Sequence, residues 1–279
     1  MNTQVLSEFS SKKITYNHVV HTEISPYTID SHCHDAFEII YLKNGDLTYN
    51  IEGKKYHIKK NSLIFAKPFL THSINVNSPE IYDRHAFLFE NSVVKDSVFN
   101  RLPAEMNVIN LNEYPKISEI FDKADFYSKH FKDEELKKIL SNIVEEVFYN
   151  IIIVSENFAE SNINGKYSAN PIIASVVEFI NNNLSEPFTV EDICKELFIS
   201  KSYLHGIFMK HMQITPQKYI SQKRLLIAQK EIRALAKPTE IYTLCGFSDY
   251  SSFYRAYKKY FGYPPSEELN HEIVRTIEF

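Results

Sequence analysis

Asp192-Ile-Cys-Lys-Glu-Leu-Phe-Ile-Ser-Lys-Ser-Tyr-Leu-His-Gly-Ile-Phe-Met-Lys210 and Ile241-Tyr-Thr-Leu-Cys-Gly-Phe-Ser-Asp-Tyr-Ser-Ser-Phe-Tyr-Arg-Ala-Tyr-Lys-Lys259 carry one pattern twice, about 49 residues apart. Each stretch reads as a short helix, a tight turn and a second helix with a basic end. In the first copy Leu204, Ile207 and Phe208 fall on one helical face, and in the second Phe253 and Tyr257 do. The opposite face then holds Lys201, Ser202 and His205 in one helix and Tyr250, Ser251, Ser252 and Arg255 in the other. Ser200 stands where a helix N-cap is expected.

A helix-turn-helix unit is shaped to place its second helix in the major groove of duplex DNA. Two units in one chain imply a reader of two successive groove segments. Arg255 suits base reading, because a guanidinium fork matches the two acceptors of guanine. Lys210, Lys258 and Lys259 suit phosphate anchoring, since a flexible point charge positions without reading. The charge distribution points the same way. Between Lys195 and Phe261 there are twelve Lys or Arg against four Asp or Glu, a net of +8 in a chain whose total is −4, which leaves −12 for the remainder. A basic segment on an acidic protein marks a part that meets phosphates. The bland alternative, a solvated helical surface, does not account for its coincidence with the repeat.

Outward from the repeat, Ile172, Ile173, Val176, Val177, Ile180 and Leu184 form a helical core stripe. Thr189 with Asp192 resembles an N-terminal capping pair. Thr215-Pro216 opens a long helix through Arg224, Leu225 and Ala228, a rigid spacer between the two units. Gly165, Ser168, Asn170 and Pro171 mark a polar linker. Before it, the stretch Asp133–Asn157 collects Leu136, Ile139, Leu140, Ile143, Val144, Val147, Phe148 and Ile151 on one face. Two readings stay open for that stripe: packing on the N-terminal half, or a dimer seam of Leu136, Leu140, Ile143, Val147 and Ile151, since two copies raise affinity for a duplex. From Ile14 to Phe89 the chain is strand-like. Phe37–Leu42, Leu47–Ile51, Lys55–Ile58, Ser62–Ala66 and His85–Phe89 alternate with turn signals at Lys43-Asn-Gly45 and Glu52-Gly53-Lys54. Such close spacing predicts an all-β barrel or jelly roll.

A length of 279 residues suggests two compact units. The longest aliphatic run, Ile151–Val154, is too short for a bilayer, and Met1–Val20 lacks an apolar export stretch. Cys33, Cys194 and Cys245 have no metal-knuckle spacing and read as free thiols in a reducing cytoplasm.

With the repeat, the spacer and the closing Phe261-Gly-Tyr-Pro-Pro265 in view, the chain resembles the AraC/XylS family of bacterial transcription regulators. Arg224-Leu225-x-x-Ala228 and Gly246-Phe247-Ser-Asp-x-Ser-Ser-Phe-x-Arg255 carry the likeness, which covers Pro171 to Leu269. The N-terminal half resembles the cupin-like sensing domain of many members. The resemblance implies an α+β chain: a cupin-like β-barrel (1–105) with a helical hairpin, a helical linker or dimerisation segment (106–165), and an all-α DNA-binding domain with two helix-turn-helix units (166–279). It implies a cytoplasmic one-component activator: a homodimer that binds a small effector, sugar-like by resemblance, in the barrel, holds double-stranded DNA and recruits RNA polymerase. Gly206 stands where the family commonly has a base-reading arginine, and Cys194 and Tyr242 where it has alanine.

His32-Cys-His34-Asp-Ala-Phe-Glu38, with Gly45 beyond, has the spacing of the first cupin metal motif, and Pro68-Phe-Leu-Thr-His72 resembles the second. Residues two apart share a strand face, so His32, His34 and Glu38 can converge. Three readings stay open: a divalent transition metal such as zinc, iron, nickel or copper; polar contacts to the effector; or a satisfied structural cluster. His57, His85 and His130 lack a partner at a telling spacing and read as structural or surface residues. The rival function is a cupin-type metal-dependent enzyme, an isomerase or dioxygenase with an accessory helical domain; a constitutive architectural DNA binder is a third. The chain shows no Ser/His/Asp ordering, Gly-rich phosphate loop or CxxC pair, and an enzyme has no need of two reading helices. No catalytic residue is expected.

Overall fold

The computed structural model describes residues 2–23, 26–77, 81–99, 101–102, 106–157, 167–168 and 170–271. Among them the strands are β1 (Asn2–Ser10), β2 (Ile14–Thr22), β3 (Tyr27–His32), β4 (Phe37–Asn44), β5 (Asp46–Ile51), β6 (Lys54–Lys59), β7 (Ser62–Ala66), β8 (His72–Val76), β9 (Tyr82–Phe89), β10 (Val108–Asn110) and β11 (Tyr167–Ser168). They form a six-stranded sheet, β1-β2-β9-β4-β7-β10, and a five-stranded sheet, β11-β6-β5-β8-β3. Every pairing is antiparallel. The two sheets face each other across one core, and among the described residues no pairing joins them. β1 precedes the stretch read as strand-like; its residues are largely exposed, which left no apolar alternation to find.

Strand alternation builds the core between the sheets. Ile40 and Leu42 from β4 meet Leu47, Tyr49 and Ile51 from β5 and Ile74 and Val76 from β8. The Glu52-Gly53 pair closes the β5–β6 hairpin with both residues left-handed (φ +47° and +79°), as a two-residue turn requires. Helix α1 (Asp96–Phe99) places Phe99 stacked on Phe37 with ring centroids 4.1 Å apart. Helices α2 (Pro115–Ser128) and α3 (Asp133–Asn157) then cover the outer face of the six-stranded sheet.

That covering corrects the dimer-seam expectation. Leu136, Leu140, Ile143, Val147 and Ile151 are buried within the protomer, in one core with Phe37, Phe65, Phe87 and Phe89. The sheet's outer face is as apolar as the helix stripe and lies nearby in the same chain. Burial there needs no second copy, so the packing reading prevails.

A histidine clamp pins α2 to the sheet. His18 on β2 faces Asp125 Oδ2 on α2 at 2.5 Å through Nδ1 and Asp83 Oδ1 on β9 at 2.8 Å through Nε2. A carboxylate only accepts, so both ring nitrogens are donors when both bonds form, and the ring is then an imidazolium. Burial pulls its pKa down, but the bonds to Asp125 and Asp83 outweigh it and the net shift is upward. The groups around it are His85, stacked on it at 3.7 Å and itself lowered to about 3 by burial and by His18, and Tyr16, which donates to Asp125. A raised folded pKa gives stability that is fully present below the unfolded value of about 6.5 and fades as pH rises through the folded value. The stability lost on His18→Gln is therefore expected to be larger at pH 6 than at pH 9, each tenfold gain in proton affinity on folding being worth about 1.4 kcal/mol. Urea unfolding of both proteins at the two pH values checks this; an equal loss at both refutes the clamp.

The C-terminal half consists of α4 (Pro171–Asn183), α5 (Val190–Glu196), α6 (Lys201–Met212), α7 (Pro216–Arg233), α8 (Pro238–Ile241) and α9 (Tyr250–Phe261). Asn170 caps α4, Ser168 lies in β11, and Gly165 of the expected linker lies outside the described residues. The Thr189–Asp192 capping box forms in full, and Thr215 caps α7 with Pro216 at its first position. The α7 helix is more than a spacer. Tyr219 and Ile220 belong to the core of the first unit, and Leu225, Leu226, Ala228 and Ile232 to that of the second. Among the described residues no helix is long and apolar enough to cross a membrane.

Candidate nucleic-acid interface and histidine pocket

The two reading helices are copies in detail. Both have 12 residues, with N-caps Ser200 and Asp249 and left-handed C-caps Gln213 and Gly262, each pair 49 residues apart. Ser200 accepts from the Tyr203 N–H and Asp249 from the Ser252 N–H. Such caps satisfy amide groups at the helix start, which is the end a groove receives.

On α6, Lys201, Ser202, His205 and Lys210 are exposed, while Leu204 and Phe208 are buried. Lys201 is engaged by Glu191 of the preceding helix, so a phosphate must compete for it. On α9, Ser251, Arg255, Lys258 and Lys259 are exposed, Tyr250 and Ser252 half-buried, and Phe253 and Tyr257 buried. Arg255 Nη2 donates to Ser252 Oγ of its own helix at 3.4 Å. Gly206 faces open space, with nothing within 4 Å of a Cβ placed there. Tyr242 is accommodated at the helix crossing by an edge-to-face contact with Tyr250, ring centroids 5.9 Å apart. The helix before Gly246 is a single turn, α8, continued by turns to the glycine.

Arg224 and Gly246, both in the segments that carry the family likeness, lock the units together. The Arg224 guanidinium donates to the carbonyls of Leu184 (3.3 Å) and Glu186 (2.8 Å) and lies 4.7 Å over the Phe188 ring. A Cβ on Gly246 would stand 2.6 Å from Arg224 Cζ and closer still to Nε, and the glycine's φ is +73°. Glycine is needed there on both counts.

In the N-terminal half, His32 at the end of β3, His34 just after it, Glu38 on β4 and His72 on β8 converge as expected. The ligand atoms of the three histidines lie within 4.8 Å of one another. Each ring is fixed by an Nδ1–H donated to a backbone carbonyl: His32 to Asp30 (2.7 Å), His34 to Ala36 (3.0 Å) and His72 to Leu70 (2.8 Å). All three Nε2 atoms are buried without a hydrogen-bond partner. His72 Nε2 lies 3.1 Å from Glu38 Oε2, within ion-pair range but without hydrogen-bond geometry. Burial and the neighbouring His72 lower His32 to about 4 and His34 to about 3. Burial pushes Glu38 up, but His72 beside it outweighs this and brings it to about 2. His32 and His34, kept neutral by burial and oriented through Nδ1, present Nε2 lone pairs beside His72 and a carboxylate, side-chain types that a transition-metal site uses.

The second histidine group, His18, His85 and Asp125, also brings its ligand atoms within 4.8 Å. Both nitrogens of His18 face carboxylates, so it serves the clamp rather than an ion. His85, expected to be structural or on the surface, is structural, its Nδ1 2.9 Å from the Tyr16 hydroxyl. His57 and His130 are exposed.

Residues that no spacing flagged join the two halves. Lys223 of α7 donates to Glu52 Oε1 at 2.8 Å and to the Phe69 carbonyl, and Tyr219 donates to Glu52 Oε2 at 2.5 Å. Tyr260 donates to the Cys33 carbonyl (2.7 Å), Ser73 to Gln213 (2.7 Å) and Asn50 to the His211 carbonyl (2.5 Å). Glu52 and Lys223 stand 171 residues apart, beyond any local pattern.

Two known families match parts of the chain. The AraC-like ligand binding domain family matches residues 21–144, and the helix-turn-helix domain family matches residues 193–271. The probable transcriptional regulator LumQ of Photobacterium leiognathi is 25% identical over 139 residues, 50% of this chain and 53% of that protein. The Msm operon regulatory protein of Streptococcus mutans is 34% identical over 137 residues, 48% of this chain and 45% of that protein. The match thus spans about half the length of each of these two relatives. The lactose operon transcription activator of Staphylococcus xylosus is 22% identical over 244 residues, 82% of both chains.

Proposed function

The chain belongs to the AraC family, and we propose that it is an effector-responsive, DNA-binding transcription regulator that reads two successive major-groove segments. The observation that carries this is the pair of equivalent, identically placed capped helices whose polar and basic faces stay exposed while α7 fixes their separation. Lys201, Ser202, His205, Tyr250, Ser251, Ser252 and Arg255 are assigned to the groove, and Lys210, Lys258 and Lys259 to phosphates. The division into a sensing part (1–105), a helical segment (106–165) and a DNA-binding part (166–279) belongs to the same reading. So do a cytoplasmic location, recruitment of RNA polymerase as an activator, and the absence of a catalytic role.

The sensing site is the histidine pocket, and His32, His34, His72 and Glu38 would hold a divalent transition-metal ion. The Nε2 atoms of His32 and His34, buried without a hydrogen-bond partner, support this reading. A sugar-like effector is the second reading, favoured by a relative, matched over 82% of its length, that is named for a lactose operon. A homodimer remains part of the proposal, on the outer face of α2 and α3, where Phe126, Tyr149 and Ile153 are exposed.

Full-length protein is expected to bind promoter-region duplexes with an affinity that falls steeply with salt, each neutralised phosphate contributing about 0.9 to the log–log slope. Fluorescence anisotropy across a series of KCl concentrations tests it. Binding insensitive to salt, or none to any upstream fragment, refutes the reading.

A further inference from the structure

Between the histidine pocket and the DNA-binding unit lies one turn, Lys67-Pro-Phe-Leu-Thr71. Its pocket side is held by backbone contacts to two of the three histidines. The Phe69 N–H donates to the His34 carbonyl (2.9 Å), and the Leu70 carbonyl accepts from His72 Nδ1 (2.8 Å). Its other side is held by α7. The Phe69 carbonyl accepts from the Lys223 ammonium, and the Phe69 ring lies 5.9 Å from Lys230 Nζ while packing into the core of the second helix-turn-helix unit. Thr71 is tied to Glu52 in both directions, Thr71 N–H to Glu52 Oε1 (2.6 Å) and Glu52 N–H to the Thr71 carbonyl (2.9 Å). Glu52 in turn carries Lys223 and Tyr219.

Two features make this turn a switch rather than a strut. Phe69 is left-handed at φ +65°, a conformation that a bulky side chain keeps only while its surroundings impose it. Lys223 is 4% exposed, so its charge is balanced by Glu52 and the turn's carbonyl and by little water. A buried cation with so few partners responds sharply when one of them moves. An ion in the pocket would supply the movement. Tetrahedral coordination at about 2.0–2.1 Å sets nitrogens about 3.3 Å apart, closer than the span of up to 4.8 Å over which these ligand atoms lie. Closing that gap would shift the rings, and two of them, His34 and His72, are bonded directly to the turn through Phe69 and Leu70.

We propose that the Lys67–Thr71 turn couples occupancy of the histidine pocket to the seating of α7, with Phe69 as the positioning residue, so that ion binding changes how the DNA-binding unit is held. This rests on the reading of the pocket as a metal site. Coupling is reciprocal: whatever the ion does to the seating of α7, that seating does to ion affinity.

The test uses the full chain and zinc. Hydrogen exchange in residues 216–233 is measured with and without one equivalent of zinc, and zinc affinity is titrated against a competing chelator. The variants are Lys223→Met combined with Glu52→Gln, which removes the charge pair together, and Phe69→Ala, a second route should the first fail to fold. Zinc is expected to change α7 exchange in the wild type and not in the variants. The variants, with all four pocket ligands intact, are expected to shift zinc affinity by about fivefold or more. If zinc binds the wild type and both variants alike and leaves α7 exchange unchanged, the coupling is wrong and the pocket stands. If the wild type takes up no zinc at one equivalent, the metal reading of the pocket fails and the inference falls with it.

Discussion

Replacing Gly246 by alanine is expected to lower the free energy of unfolding by about 3 kcal/mol, from a left-handed backbone that suits no side chain and a methyl forced into a packed group. The methyl would meet Arg224 at Nε, Cζ (2.6 Å) and Nη2 (2.8 Å). The guanidinium cannot swing aside cheaply, because it holds the Leu184 and Glu186 carbonyls of the first unit. Gly206→Ala provides the contrast: that glycine is inside a helix with nothing within 4 Å, so alanine there should stabilise by up to ~1 kcal/mol. Urea unfolding of the two variants should therefore move the midpoint in opposite directions. An unchanged midpoint for Gly246→Ala would mean that Arg224 yields freely and does not tie the units together.

Arg255→Ala should weaken binding to the preferred duplex by about 1–3 kcal/mol and flatten the preference at one or two base pairs. Arg255 is the only arginine on either reading helix; it is exposed, and its long 3.4 Å hydrogen bond to Ser252 is easily given up to a base. With Gly206 bare on α6, base discrimination falls mainly to α9. Lys259→Ala, at the far end of the same helix, should weaken all sequences alike and reduce the salt slope by about one phosphate. Selection from a randomised duplex library with both variants separates these effects. A preserved preference in Arg255→Ala together with a changed one in Lys259→Ala would mean that the helix enters the groove the other way round.

Much of the C-terminal, helix-turn-helix half was legible because its determinants are local. Caps such as Ser200, Thr189 with Asp192, and Thr215 act within three or four residues, and helical periodicity placed Leu204, Phe208, Phe253 and Tyr257 inward. The histidine pocket was half legible. Motif spacing picked out His32, His34 and Glu38, but they lie on β3, just after it and on β4 of the other sheet, and the backbone carbonyls that hold each Nδ1 depend on the loops around Ala36 and Leu70. The α3 stripe shows the limit of periodicity: it established that Leu140, Ile143 and Val147 must be buried, not against what.

By itself, then, the sequence determined the two helix-turn-helix units, the spacer helix between them, the β-rich N-terminal half and the motif spacing that picks out three histidines and a glutamate. Each follows from interactions within a strand, a helix or a turn, where spacing along the chain is distance in space. Only the tertiary structure decided that α2 and α3 close over the sheet, that His18 clamps α2 to it between Asp83 and Asp125, and that Lys223 reaches Glu52 and Phe69 across the junction. Those contacts join residues tens to hundreds of positions apart. They depend on which apolar faces find each other first, and the polar groups left at the junction must then pair with whatever faces them, because burial without a partner is costly.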